Sequence, residues 1–246
     1  MIRTILFYIR FALHLLTTIP TSFHYWRLGR AGQFAKQQEY LYAAVKDWGH
    51  YLVETTGSQV EVVGLEHIPE GACLIISNHQ SNFDIPILGG YLNKPVGFIA
   101  KKELGKVPII STWMKRIHCI FIDRENSRQA VKALSEAIAS LKAGNSLIIF
   151  PEGTRSKGDQ MGVFKKGSLR IAEKSGVPIV PITIDGSHRI LEGNNNRIRP
   201  AKVRVIIDEP IYMERLDDEQ KAILLDTIKA QIQKNLDQSP LKQGSL

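Results

Sequence analysis

The chain contains few cysteines, only two among its 246 residues. Cys73 and Cys119 do not form a C-x-x-C pair, so the ligand spacing of zinc and iron–sulfur sites is missing and we expect no metal centre. Both lie in apolar, strand-like stretches, which predicts buried free thiols in a reducing compartment. The sequence also lacks the G-x-S-x-G nucleophile elbow, which argues against a serine-hydrolase triad.

Acidic residues are also fewer than basic ones, 24 against 32, which gives a net charge of +8. Such a balance suits nucleic acid, an anionic membrane or a phosphorylated substrate. The basic residues are dense between 94 and 128, yet this stretch has only Phe98, Trp113 and Phe121 as aromatic residues, in core-like positions. Because single-stranded nucleic acids need exposed stacking aromatics, we expect no nucleic-acid partner.

A long uninterrupted apolar run is missing from the N-terminus. Arg3 and Arg10 interrupt residues 1–20, so the clean stretches are short for a membrane span of about 20 residues. No A-x-A site follows, and we expect no cleaved signal peptide. An interfacial membrane helix is the favoured interpretation, with a spanning helix and a plain core helix as alternatives. Its apolar stripe consists of Ile2, Ile5, Leu6, Ile9, Leu13 and Leu16.

The pattern of apolar residues predicts an α/β protein. Residues 1–55 have helical periodicity, and breaks at Pro20 and at Gly29–Gly32 predict a helical hairpin. From Gln59 onward, short apolar runs alternate with helical patterns, which predicts a layered αβα sandwich around a largely parallel sheet. We therefore expect a membrane-docking hairpin at 1–55 and an α/β domain at 56–246. The predicted strands are "VEVVGLEHI", "ACLIIS", "VGFIA", "IFI", "SLIIF", "IVPITI" and "KVRVIID".

A histidine and an aspartate follow the second predicted strand. In "LIISNHQSNFD", His79 lies in the loop and Asp84 in the first turn of the next helix. Ligands bind at the carboxyl ends of strands in open α/β sheets. The Asp84 carboxylate can then orient the imidazole, which leaves the other ring nitrogen to accept a proton from a hydroxyl. The pair predicts a general base, although a single His-x4-Asp spacing also occurs by coincidence.

Cationic residues follow three other predicted strands. "IFIDREN" places Arg124 after one strand, and "IIFPEGTRSKG" places Glu152, Gly153 and Arg155 after another. An arginine offers a planar fork for phosphate, and glycine lets backbone N–H groups approach a ligand. Lys101 directly follows "VGFIA". Each feature alone is also typical of a turn with a solvated cation, but together they predict a phosphate site beside His79.

Four motifs occur together in this order: "NHQSNFD", "FIDR", "FPEGTRS" and "VPIVPITI". In sequence and spacing they resemble the motifs of the glycerolipid acyltransferases, and the chain is most similar to the bacterial 1-acylglycerol-3-phosphate (lysophosphatidate) acyltransferase branch. The motifs span residues 78–184, and the N-terminal hairpin resembles the membrane-docking element of bacterial members. The resemblance implies transfer of an acyl chain from a thioester to the acceptor's 2-hydroxyl, which makes phosphatidate.

The resemblance also implies a role for each matching residue. His79 would deprotonate the glycerol hydroxyl, and Asp84 would orient it. The stretch 177–184 would be structural. Arg124, Lys101 and Arg155 would bind the acceptor's phosphate. Glu152 and Gly153 would shape the acceptor site.

The expected partners are a phospholipid membrane, lysophosphatidate and an acyl donor, which is either acyl-CoA or an acyl carrier protein. No other cofactor and no metal is expected. The expected location is the cytoplasmic face of the bacterial inner membrane, with a monotopic attachment favoured over a spanning one. Two alternatives stay open: an acyltransferase for glycerol 3-phosphate or a lysophospholipid, and a basic membrane-binding protein without catalysis.

Overall fold

Seven strands form one sheet in the computed structural model, which describes residues 1–123 and 126–243. The spatial order is β1-β7-β6-β2-β5-β3-β4, and every neighbouring pair is parallel except β6 with β7. The predicted, largely parallel sheet is thus present. The strands are β1 (Gln59–Val63), β2 (Leu74–Ser77), β3 (Gly97–Lys101), β4 (Ile120–Ile122), β5 (Leu147–Ile149), β6 (Ile179–Asp185) and β7 (Lys202–Ile207).

Helices cover both faces of this sheet. Ile75 of β2 packs in the cluster that contains Phe7 and Leu52, whereas Leu74 and Ile76 pack in the opposite cluster. Because both faces are buried, the central strands are continuously apolar instead of alternating. The first layer holds α1 (Ile2–Arg30), α2 (Phe34–Thr56), α3 (Asp84–Tyr91) and α4 (Ile110–Arg116), and the second holds α5 (Ser127–Lys142), α6 (Gly167–Ser175) and α7 (Asp218–Asp237), which α8 (Pro240–Gln243) follows.

The predicted break at Pro20 is wrong, because α1 continues through this residue to Arg30. Pro20 lies on the exposed side of the helix and removes only one backbone hydrogen bond. The hydroxyls of Thr17, Thr18 and Thr21 donate to backbone carbonyls in the adjoining turns. The predicted hairpin is present, but its turn lies at Ala31–Gln33, where Gly32 adopts a φ of 70°.

Helix α1 is amphipathic and lies along the rest of the chain. Phe7 is buried against Phe83 with ring centroids 5.6 Å apart, and the ring of His14 stacks on Tyr51 at 4.0 Å. The sequence predicts only short apolar stretches in this region. As one uninterrupted helix, however, α1 is long and apolar enough to cross a membrane by length and composition. Its outward face exposes Ile2, Ile5, Leu6, Ile9, Leu13, Leu16, Ile19, Phe23 and Trp26.

Candidate active site

The sheet brings the loops after β2 and β5 next to each other. These strands are paired in parallel, with Ile76 opposite Ile149, so the segments that follow them emerge at the same edge. Strand β3 lies beyond β5 in the sheet, about 10 Å from β2 at the usual strand spacing. The predicted cluster of polar residues at this edge therefore has its basis in the strand order.

His79 and Asp84 form the predicted pair. The Nδ1 atom of His79 lies 2.7 Å from the Oδ2 atom of Asp84, whose side chain is fully buried, whereas that of His79 is 16% exposed. A carboxylate can only accept, so Nδ1 carries the proton in the neutral imidazole. Nε2 is then the free acceptor, and it has no hydrogen-bond partner in the described part of the chain.

Asp84 is held in place by hydrogen bonds to both of its carboxylate oxygens. Its Oδ2 atom also accepts from the backbone N–H groups of Gln80, at 2.8 Å, and Ser81, at 2.9 Å. Its Oδ1 atom accepts from the hydroxyl of Ser187, which lies two residues after the end of β6. Such a fully satisfied buried carboxylate has a fixed orientation, and it fixes the imidazole in turn.

The backbone around His79 is fastened to both neighbouring strands. The side chain of Asn78 donates to the carbonyl of Ile184 and accepts from its N–H, both at 2.8 Å. This exchange extends the pairing between β2 and β6 by one residue. On the other side, the His79 ring stacks on Phe150 at a centroid distance of 4.0 Å and an angle of 14°. The imidazole is thus presented from a rigid loop.

Glu152 holds the backbone of the His79 loop in place. Its side chain is buried, and its carboxylate accepts from the backbone N–H groups of His79 and Gly162, each at 2.7 Å. Burial raises the pKa of this carboxyl, an effect that the two N–H donors partly offset. Since both oxygens face the protein, Glu152 can shape an acceptor site by holding its walls.

Gly153 occupies a left-handed turn, with a φ of 71°. L-residues with a side chain rarely adopt this conformation. The side chain of Lys165 lies across the turn, so that an added Cβ at Gly153 would come within 3.0 Å of the Lys165 Nζ atom. The backbone conformation therefore favours glycine here, and a larger residue would also displace the end of the Lys165 side chain.

Arg155 lies at the same edge, bound to a carboxylate that the sequence analysis did not identify. Its NH1 atom donates to the Oε1 atom of Glu192 at 2.6 Å, with Arg155 32% exposed and Glu192 only 3% exposed. Glu192 belongs to a 3₁₀-helical turn, Glu192–Asn194, in the segment between β6 and β7. The guanidinium thus lies between the protein and solvent.

One predicted cation, Lys101, lies apart from this cluster. Lys101, at the end of β3, is exposed and lies 3.7 Å from Glu103, and within the described residues it has no hydrogen bond to His79 or Arg155. Arg124 lies outside the described residues. The structure therefore joins His79, Asp84, Glu152 and Arg155 into one network and leaves Lys101 further along the edge.

Sequence analysis missed Ser187 and Glu192. Both follow β6, which pairs with β2 in parallel and therefore ends at the same edge. The signal was present, because polar residues follow "IVPITI" as they follow the other strands. That strand is fully buried, in keeping with the structural role expected for 177–184, and its loop supplies the functional contacts. Among the described residues, no cluster of three metal-ligating side chains was found.

The fold is that of the acyltransferases. Residues 59–185 match the family model described as "Acyltransferase". This match covers half of the chain, and the chain belongs to that family. The crystal structure of the 1-acyl-sn-glycerophosphate (LPA) acyltransferase PlsC from Thermotoga maritima is similar over 96% of this chain and 94% of that one, with a TM-score of 0.84 and 30% identity. The predicted fold class is thereby confirmed.

Curated relatives carry names from the branch that the motifs resemble. A "probable 1-acyl-sn-glycerol-3-phosphate acyltransferase" of Mycoplasma pneumoniae is 38% identical over 166 residues, which are 63% of this chain and 62% of that protein. The 1-acyl-sn-glycerol-3-phosphate acyltransferase of Pseudomonas aeruginosa is 33% identical, over 69% of this chain and 67% of its own length. In the chloroplastic BAT2 of Brassica napus the match spans 47% of the relative. The predicted resemblance is confirmed.

Proposed function

We propose that this chain transfers an acyl group from an acyl thioester to the 2-hydroxyl of 1-acylglycerol 3-phosphate, which yields phosphatidate. The observation that carries the proposal is the 2.7 Å contact of His79 with buried Asp84, which leaves Nε2 as a free acceptor at the edge of the sheet. The names of the relatives support the choice of acceptor.

In the proposed reaction, Nε2 of His79 accepts the proton of the 2-hydroxyl as its oxygen attacks the thioester carbonyl. The tetrahedral intermediate then collapses, the C–S bond breaks, and the departing sulfur takes the proton from the imidazolium. Asp84 stabilises that imidazolium through Nδ1. A positioned base of this kind contributes about 10²–10⁴-fold to the rate.

The acceptor's phosphate would bind to cations along the same edge. Arg155 is partly exposed and uses NH1 for Glu192, so its other N–H groups are available for a phosphate oxygen. Lys101, further along the edge, and Arg124 complete the proposed phosphate site. Gly153 would contribute its backbone turn, and Glu152 would hold the wall between that turn and His79.

The acyl donor is proposed to be acyl-CoA or an acyl carrier protein, acting as co-substrate, with no other cofactor and no metal. The thioester is already an activated acyl group, and the base needed to activate the hydroxyl is present in the chain. Direct attack by the acceptor also needs no acyl-enzyme. The reaction therefore balances with the two substrates and His79 alone.

Membrane attachment is proposed to be monotopic, on the cytoplasmic face of the bacterial inner membrane. Helix α1 contacts the α/β domain near its start through Phe7 and near its end through Tyr25, whose ring lies 4.5 Å from the Arg116 guanidinium. A helix docked over this length has one apolar face left for lipid. An acceptor captured there keeps its acyl chain in the bilayer and avoids about 0.8 kcal/mol per CH₂ exposed to water.

An acceptor panel tests the proposal. Thiol release from acyl-CoA and from an acyl carrier protein is measured with detergent-solubilised protein and lysophosphatidate, glycerol 3-phosphate or lysophosphatidylcholine. The proposal expects the highest kcat/KM with lysophosphatidate. A higher value with either other acceptor would support the alternative acyltransferases, and absence of acceptor-dependent release would support a non-catalytic membrane-binding protein.

A further inference from the structure

The carboxylate of Glu192 has no role in the proposed reaction, yet it is almost completely buried beside it. Its side chain is 3% exposed. A buried carboxylate is costly unless its oxygens are paired, and here both are. Oε1 accepts from Arg155 at 2.6 Å and from the backbone N–H of Asn82 at 3.0 Å, while Oε2 accepts from the Ser81 hydroxyl at 2.5 Å.

These contacts connect three separate parts of the site. Ser81 and Asn82 belong to the loop between His79 and Asp84, Arg155 follows β5, and Glu192 follows β6. Ser81 also donates its backbone N–H to Asp84. A single side chain therefore fixes the position of the proposed phosphate-binding arginine relative to the loop of the proposed base.

We propose that Glu192 is a positioning residue, which holds the Arg155 guanidinium in the orientation that receives the acceptor's phosphate. The inference rests on the proposed function, in which Arg155 binds that phosphate. A free arginine loses much rotamer freedom when it binds a ligand, and a guanidinium already fixed by a buried carboxylate loses less. Glu192 acts through Arg155 and does not touch the acceptor.

The test combines single and double variants. Glu192→Gln keeps the side-chain shape and removes the charge, and Arg155→Ala removes the group it orients. We expect E192Q to raise the KM for lysophosphatidate about tenfold, in line with loss of one charge-assisted contact, with the KM for acyl-CoA unchanged. Because Glu192 acts through Arg155, E192Q combined with R155A should raise the acceptor KM no further than R155A alone.

A matched control is available at Glu61, which pairs with Arg204 at 3.3 Å on β1 and β7. Glu61→Gln also removes one carboxylate from an arginine pair, and it should leave both KM values unchanged. Thermal melting checks that each variant is folded. If E192Q does not fold, Arg155→Lys gives the second measurement. A lysine can pair with Glu192 but lacks the planar guanidinium fork, so the acceptor KM of the R155K enzyme should approach that of R155A.

Three results would overturn the inference: an unchanged or lowered acceptor KM in folded E192Q, additive effects in the double variant, or an R155K enzyme with the wild-type acceptor KM. An R155A enzyme whose acceptor KM is unchanged would instead remove Arg155 from the proposed phosphate site, and with it the role of Glu192. Failure of the inference alone is recognised by an effect of R155A without one of E192Q.

Discussion

Replacing Asp84 with asparagine separates the charge of this residue from its shape. Three N–H donors converge on Oδ2, from His79, Gln80 and Ser81. The asparagine oxygen should therefore take this position, and its NH₂ group should face the Ser187 hydroxyl, which can rotate to accept. We expect D84N to keep the fold and the orientation of the imidazole and to lose only the negative charge.

The size of the effect follows from the distance. With Nδ1 and Oδ2 at 2.7 Å, the charge centres of imidazolium and carboxylate lie about 4 Å apart, which corresponds to about 4 kcal/mol at an effective dielectric constant near 20. This attraction exists only after His79 has taken the proton, so its loss raises the barrier. We expect kcat to fall by about 10²–10³-fold, with both KM values within about threefold of wild type.

The assay is acceptor-dependent thiol release, with thermal melting to confirm folding. Asp208→Asn is the control, because Asp208 likewise accepts side-chain hydrogen bonds, from the amides of Gln231 and Asn235, but follows β7, which ends at the opposite edge of the sheet. It should leave kcat unchanged. A folded D84N enzyme with more than a fifth of the wild-type kcat would refute the reasoning that Asp84 stabilises the imidazolium.

Three further predictions follow from burial and exposure. Burial raises the pKa of Glu152 above 4.5, so the folded protein holds this proton more tightly than the unfolded chain does. The free energy of unfolding should therefore fall as the pH rises from 4.5 through the raised pKa. Denaturant titrations of E152Q should lack this pH dependence, and an E152Q profile identical to that of the wild type would contradict the prediction. Burial raises the pKa of Cys73, and it raises that of Cys119 to about 12. A thiol reagent should therefore label both cysteines only in denaturant. Rapid labelling of the folded protein would contradict their burial. A variant with glutamate in place of Ile9, Leu13 and Leu16, all half-exposed on α1, should no longer cosediment with anionic vesicles. A control variant with glutamate in place of exposed Val131 and Ile223, in the opposite layer, should still cosediment. Unchanged binding of the α1 variant would place membrane contact elsewhere.

The strands and the His79–Asp84 pair were predictable because their signals are local. A strand buried on both faces is a short apolar run, as "LIIS" is, and the aspartate lies only five positions after the histidine. The helical patterns of the sequence at 84–93, 127–143, 166–175 and 216–235 lie within two residues of the ends of α3, α5, α6 and α7, whereas the pattern at 107–116 begins three residues before α4. There, the chain forms a 3₁₀ turn at Lys102–Lys106, and α4 begins only at Ile110, because Ile109 has a φ of 64°.

The direction of β7 and the contacts of Glu192 were not predictable in the same way. Periodicity reports burial and not strand direction, so the antiparallel pairing of β6 with β7 depends on how the connection at 186–201 turns back. The contacts of Glu192 span 37 residues to Arg155 and 111 to Ser81. Such contacts depend on the order of strands in the sheet, which the apolar pattern does not encode.

The measurement that tests the central claim most directly is acceptor-dependent thiol release by His79→Ala. The side chain lies in a loop with one free nitrogen and makes one side-chain hydrogen bond in the described part of the chain, so its removal should leave the fold intact. We expect a folded protein whose release of thiol with lysophosphatidate falls to the rate without acceptor. Release near the wild-type rate would contradict it and would remove His79 from the reaction.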